Sequence, residues 1–351
     1  MTGEEAASVS ETVVVTGASA GVGRAVALAF GREGASVGLL ARHEAALQEV
    51  VEEIEAAGGR AIAVVTDVAD AEQVEEAAER VERAFGPITV WVNNAMATVF
   101  SPLADMNARE FERATDVTYL GVVYGTMSAL RRMRPREAGM VVQVGSALAY
   151  RSIPLQSAYC GAKHAIRGFT DAVRCELLHD ESNVGISSVH LPAINTPQFQ
   201  WARARIGHHP RPLDPIYDPE VAADAVLWAA RHRWREVIVG NSTLMTVTGN
   251  KVAPGLLDHY LAHAAYEGQH GHQRLESERS GNLFEPVAGY HAVRGPFDAD
   301  SKQWSLPFWA TTYPATVLGG GLLLAGIAGA IADHLRRPKR RRRKRRRREL
   351  F

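Results

Sequence analysis

Thr12 to Arg24 reads T-V-V-V-T-G-A-S-A-G-V-G-R, and the fold turns on it. Three valines between threonines make a short β-branched run without polar alternation, the pattern of a strand buried on both faces. The run passes straight into glycines at 17, 21 and 23, and an amphipathic helix follows with Val26, Leu28 and Phe30 among its apolar positions. Strand, glycine-rich turn and helix in that order make a phosphate cradle. Gly17 and Gly21 let backbone approach a pyrophosphate, and Gly23 permits close packing of helix on strand. A glycine trio alone is a weak signal; its place between a strand and a helix gives it weight.

The same alternation continues downstream. Ala35 to Leu40, Ala61 to Val65, Thr89 to Val92, Met140 to Gly145, Val184 to His190 and Glu236 to Gly240 read as further strands. Helical patterns separate them at His43 to Ala57, Ala71 to Phe85, Arg109 to Met133, around Tyr159, and at Pro219 to Ala230. Seven strands alternating with helices predict an α/β fold, a doubly wound parallel sheet (Rossmann fold) with helices on both faces, over residues 1–241. The adenosine ribose of a dinucleotide belongs at the end of the second strand. A carboxylate there would bind a 2′-hydroxyl; this chain has Ala41-Arg42 instead, and Arg42 can pair with a 2′-phosphate. Asp67, in Thr66-Asp67-Val68 after the third strand, is placed either to accept from an adenine amino group or to cap a turn.

Val144 to Lys163, V-G-S-A-L-A-Y-R-S-I-P-L-Q-S-A-Y-C-G-A-K, carries the chemistry. Tyr159 and Lys163 stand at i and i+4 and share a helix face. An ammonium near a phenol favours the phenolate, which brings the tyrosine toward use as an acid/base. Ser146 ends a strand and is placed to donate to a substrate oxygen. Ketone reduction needs this set: a proton donor, a group that tunes it and a second donor that holds the carbonyl. Y-x-x-x-K by itself also occurs on solvated helices, so the serine and the glycine cradle are what give it meaning.

Together these motifs resemble the short-chain dehydrogenase/reductase family over roughly Thr12 to Asn241. T-G-x-x-x-G-x-G is matched at Thr16 to Gly23, N-N-A at Asn93 to Ala95, the serine and Y-x-x-x-K at Ser146, Tyr159 and Lys163, and a proline-to-threonine turn at Pro192 and Thr196. The resemblance implies an NADP(H)-preferring oxidoreductase, NAD(H) being less favoured, that interconverts a ketone or aldehyde and an alcohol. It implies Tyr159 as general acid/base, Lys163 as the group that lowers its pKa and holds the nicotinamide ribose, and Ser146 as the donor steadying the substrate oxygen. It further implies a cofactor site that takes in Ser19, Val22, Val68, Asn94 and Ala95 beside the glycines, Arg42, Asp67, Pro192 and Thr196, and a homodimer or homotetramer. Three positions depart from the family pattern. Thr118 stands where an asparagine usually organises a proton-relaying water, Met96 replaces the glycine after N-N-A, and Ala193 replaces the glycine after Pro192. Thr118 and the unusual C-terminal part motivate an alternative, a cofactor-binding scaffold or sensor of the same fold with weak or no catalysis.

The zero formal net charge hides an asymmetry. Twelve of the 39 Lys and Arg lie between Arg336 and Arg348, leaving 27 basic against 38 acidic residues before them, a net of −11. An acidic body argues against nucleic acid as a partner. Cys160 and Cys175 lie too far apart on one helix to bridge, so no disulfide is expected and a reducing compartment fits. M-T-G-E-E-A-A-S lacks an apolar core, so a secretory leader is not expected; cytoplasmic residence is. Residues 242–310 read as an extension packing on the core or on a partner subunit, with an amphipathic helix over Asn250 to Tyr266. Its histidines (His259, His263, His270, His272) lack cysteine companions, and no metal site is expected. Ala315 to Ala332, within 311–335, carries no charge for eighteen residues. With the aromatics before it and the basic 336–351 after it, it is expected to meet an anionic membrane surface rather than to span the bilayer.

Overall fold

The computed structural model describes residues 11–275, 279, 281–317 and 332. The chain divides into two compact units, Met1–Ser305 and Leu306–Phe351. In the first, β1 (Thr12–Thr16), β2 (Ser36–Ala41), β3 (Arg60–Val65), β4 (Val90–Asn93), β5 (Met140–Ser146), β6 (Gly185–Leu191) and β7 (Glu236–Ile238) form one sheet. Its order is β7-β6-β5-β4-β1-β2-β3, every pairing parallel. The central strands β1 and β5 are buried along their whole length, as their unbroken apolar runs require; the edge strand β3 is only partly covered. The order reverses between β1 and β4, and such a switch point opens a crevice at the carboxyl ends of the strands.

Helices cover both faces. α1 (Gly21–Arg32) packs on α2 (Glu44–Ala56) and later on α8 (Pro219–His232). α3 (Ala71–Phe85) packs on α5 (Gly121–Met133), which with α4 (Ala108–Thr115) packs on α6 (Ser157–His179). The helix expected over Arg109 to Met133 is α4 and α5 joined by a π-helical turn, Asp116–Leu120. A satisfied polar network pins β4 to β5 and α5. Asn93 Nδ2 donates to Gln143 Oε1 (2.9 Å) and Thr126 Oγ1 (3.1 Å), and its Oδ1 accepts from the buried Trp91 indole (2.8 Å). With every member paired, this network fixes where the strand end after it emerges.

A four-residue α7 (Gln198–Trp201) follows β6. Beyond the sheet come α9 (Asn241–Val252) and α10 (Pro254–Gly268). The helix expected over Asn250 to Tyr266 is α10, starting at Pro254, and its first residues belong instead to α9, which was not expected. Pro254 drives the residue before it out of the α region, and Ala253 sits at φ −144°. α9 escaped notice because its Asn, Ser, Thr and Gly residues carry little helical propensity and no clear stripe. The chain then returns across the carboxyl end of the sheet. His270–Arg274 pairs antiparallel with His208–Pro210, and Ser301–Lys302 pairs with Ile216–Tyr217, itself paired with Ala193–Ile194. Leu283 is fully buried in the core beside Val68 and Val117.

The second unit contains the helix Leu306–Thr312, with the Trp309 and Tyr313 rings 5.8 Å apart. Among the described residues no helix is long and apolar enough to cross a membrane. Residues 318–331 of the apolar stretch and the whole basic run lie outside the described residues.

Candidate active site

The glycine turn enters α1 with no side-chain cap on Ala20 and no acidic residue in the first turn, so no side chain offsets the positive dipole end of the helix. Gly17 has φ +67°, which favours glycine. A Cβ on Gly23 would stand 2.1 Å from the Gly17 carbonyl, so only glycine lets the helix start this close to the strand end. Thr16 clamps the switch point: its Oγ1 accepts from the N–H of Asn94 (2.9 Å) and Ala95 (3.0 Å), while Asn94 Nδ2 donates to the Thr16 carbonyl (2.9 Å).

A cavity of about 1000 Å³ runs from this turn toward α9 and α10. That is the upper end of the size of small-molecule sites, room for a dinucleotide and a second molecule. Gly17, Ser19, Gly21, Val22, Asn94 and Ala95 line it at the cradle. Arg42, Asp67 and Val68 line it at the adenosine end, and Pro192 and Thr196 after β6. Ser146, Tyr159 and Lys163 line it where β5 meets α6, and Met96 faces it as well. Gly23 and Thr118 do not line it. The one packs behind the turn. The other is fully buried, its hydroxyl donating to the Ala97 carbonyl (2.9 Å) and accepting from the Ala97 N–H (3.0 Å). Both bonds tie Thr118 to the loop after β4. It lies in the π turn, where an inserted residue shifts the side chains from ordinary helical register.

Ser146 Oγ accepts from the Leu148 N–H (3.1 Å) and lines the same cavity as the Tyr159 phenol. Burial pushes that phenol well above its usual pKa, and the Ser146 hydroxyl opposes the shift only in part. Lys163 Nζ lies 5.5 Å from the centre of the Tyr159 ring and donates to the Val144 carbonyl (2.7 Å). Burial lowers its own pKa to about 8. Burial sets the direction of the phenol's shift, and the phenol is held protonated. That is the state a proton donor needs.

The adenosine end differs from a bare groove. Arg42 donates to the carbonyls of Asn282 (2.5 Å), Leu283 (3.4 Å) and Phe284 (2.9 Å). Arg113 donates to the Leu283 carbonyl (3.2 Å) and pairs with Asp67, whose other oxygen accepts from the Ala69 N–H (3.1 Å). The strap continues past the cradle, where the Gly21 N–H donates to the Ala292 carbonyl (2.9 Å) and Arg24 to that of His291. His291 lies between the rings of His43 (4.4 Å) and Trp201 (4.9 Å). The strap ends against the segment after β6, where the Gly295 N–H donates to the Asn195 carbonyl. Residues 282–295 thus run along the cavity, which Asn282, Pro286, Val287 and His291 line. None was expected from sequence. The segment has no periodicity, and its bonds use backbone carbonyls that any residue supplies; only the length of chain beyond β7 hinted at it.

A family profile described as short chain dehydrogenase matches residues 11–206. An uncharacterized oxidoreductase of Bacillus subtilis (strain 168), YxnA, is 31% identical over 331 residues, 93% of this chain and 91% of that protein. A probable oxidoreductase of Mycobacterium tuberculosis (strain ATCC 25618 / H37Rv), EphD, is 40% identical over 237 residues, 63% of this chain but only 39% of that protein. Among solved structures, an alcohol dehydrogenase from the archaeon Thermococcus sibiricus complexed with 5-hydroxy-NADP superposes with TM-score 0.56 at 25% identity, covering 65% of this chain and 95% of that one. A short chain dehydrogenase/reductase from Burkholderia phymatum in complex with NAD gives TM-score 0.63 at 23% identity over 71% and 95%, a likeness of fold.

Proposed function

The chain belongs to the short-chain dehydrogenase/reductase family, and from that we propose that it reduces a ketone or aldehyde, or oxidises the alcohol, with Tyr159 as general acid/base. The observation that carries this reading is the convergence of Ser146, Tyr159 and Lys163 on one cavity that also reaches the glycine cradle. The residues present fit a nicotinamide dinucleotide. Gly17, Gly21 and Gly23 leave room for it, the uncapped start of α1 favours its phosphates, and Lys163 and Thr196 lie at its reactive end. Bound there, the cofactor would supply or accept the hydride. Ser146 and Tyr159 hold the carbonyl oxygen between two hydroxyls, and Tyr159 gives its proton to that oxygen as negative charge develops on it. The raised phenol pKa favours this reductive direction; the reverse needs a phenolate that the Lys163 charge must support. The test is purified full-length protein mixed with NADPH or NADH and a panel of ketones, following nicotinamide absorbance. Cofactor binding without turnover of any carbonyl would favour the scaffold or sensor reading instead.

We further propose a preference for NADP(H). What supports this is Arg42, which directly follows β2 and whose charge is not neutralised by the strap carbonyls it holds. Arg42→Ala should weaken NADPH at least ~10-fold more than NADH, since a charge-assisted bond contributes about 1.5–3 kcal/mol. Equal losses, read by fluorescence titration of both cofactors, would leave Arg42 only the role of anchoring the strap. Two wider expectations complete the proposal. The protein is a cytoplasmic homodimer or homotetramer, to be read by analytical ultracentrifugation. The stretch 315–332 with its basic run attaches it to an anionic membrane surface. Fractionation of the full chain beside one ending at Tyr313 tests the last point, and equal solubility of the two without detergent would refute it.

A further inference from the structure

The end of the cavity beyond Ser146 and Tyr159 is walled by α9 and α10 through Met245, Gly249, Leu257, Leu261, Ala264 and Gly268. The amide side chains that reach it are already committed. Gln156 Nε2 donates to Gln269 Oε1 (2.7 Å), and Gln269 Nε2 donates to the carbonyls of Pro154 (2.9 Å) and Ala265 (2.8 Å). Gln156 Oε1 in turn accepts from Thr98 (3.4 Å). Both glutamines are buried, and with partners this complete they tie α10 to the loop before α6 instead of facing a ligand.

The charges there are also cancelled. Arg151 pairs with Asp258 and with Asn250 Oδ1 (3.3 Å), and Arg211 pairs with Asp214 (3.1 Å). The Nε atoms of both arginines lack partners, but they are themselves buried against protein and out of a ligand's reach. A charged substrate group placed here would lose water and meet no uncompensated opposite charge, which is costly. The other polar side chains in this arm, Asn241, Ser242, Thr246 and Tyr260, carry only neutral amide or hydroxyl groups. The mouth is apolar too: Met245 is 72% and Tyr260 65% exposed, yet both also line the cavity.

We propose that the substrate is an uncharged carbonyl compound, or its alcohol, whose one polar group sits at Ser146 and Tyr159 and whose long hydrocarbon body lies between α9 and α10. This rests on the catalytic reading above and deepens it.

The test uses the full chain, its nicotinamide cofactor and a homologous series of 2-alkanones. The kcat/KM should rise about three- to fourfold per methylene, the equivalent of ~0.8 kcal/mol per buried CH₂, until the chain reaches the mouth. An ω-carboxylated ketone of the same length should fall at least ~100-fold below its neutral counterpart. Leu261→Gln and, independently, Leu257→Gln should flatten the slope. Turnover with a flat chain-length profile, or with the carboxylated ketone preferred, overturns this inference and leaves the catalytic reading standing. If no carbonyl is turned over, the catalytic reading fails. Calorimetry of the matching 2-alkanols with cofactor present still decides the point, because affinity that rises with chain length supports an apolar site and affinity indifferent to it refutes one.

Discussion

Tyr159→Phe is expected to lower turnover by at least ~100-fold while nicotinamide binding changes little. The substitution deletes one oxygen and keeps the ring that packs beside Lys163. Ser146 stays on the Leu148 N–H, so the loop after β5 should hold its shape. What disappears is the proton donor that burial keeps charged with its proton. Steady-state kinetics beside a cofactor titration separate the two effects, and a variant with full turnover would show that another group protonates the substrate. The wild-type pH profile should carry the same assignment. Tyr159 is held up by burial and remains an acid beyond neutral pH, whereas Lys163 is brought down to about 8. For reduction, kcat/KM should therefore decline as pH rises through about 8, where the free enzyme loses the ammonium and not the phenolic proton.

Local chemistry was legible in the sequence and long-range chemistry was not. The glycine cradle and the Tyr159–Lys163 pair are short-range patterns: three glycines between a strand and a helix, and two side chains one helical turn apart. The seven strands followed from unbroken apolar runs, which is what burial on both faces selects. Arg42 was legible as a position and not as a partner, because three of its bonds go to residues 240 to 242 positions away. Thr118 could be aligned but not oriented. Its π turn shifts the side-chain register, and the hydroxyl closes on Ala97. The strap and α9 were missed for opposite reasons. The strap acts through backbone, which has no residue code, and α9 is built of residues that neither favour a helix nor form a stripe.

Glu110→Gln is expected to destabilise the first unit by about 3–5 kcal/mol at neutral pH, the scale for breaking a buried ion pair from one side. Glu110 is 1% exposed and receives the Arg203 guanidinium together with both terminal nitrogens of Arg205 (2.6 and 2.5 Å for Nη1 and Nη2). It also closes the capping box at the start of α4 with Asn107, so its carboxylate joins a helix start to a strand distant in sequence. The glutamine keeps the shape and removes the charge, leaving two largely buried guanidiniums on a neutral amide. Arg205, and after it the Asn107 N–H and Arg203, hold the carboxyl down to about 2 against an ordinary value of 4.5, with burial opposing them. A lowered folded-state pKa contributes stability that is complete above the unfolded value and is lost as pH falls through the folded one. The gap between wild type and variant should therefore be full above pH 4.5 and shrink as pH falls toward about 2. Denaturant melts across that range measure it, and equal stability at neutral pH would mean that the ion pairs only offset their own desolvation. Function should follow through the same strand. Arg203–Ala204 pairs with Val99–Phe100, and Phe100 packs with Phe199, which lines the cavity. Where the variant remains folded, loosening that wall should raise KM while kcat, set by Tyr159, stays near wild type.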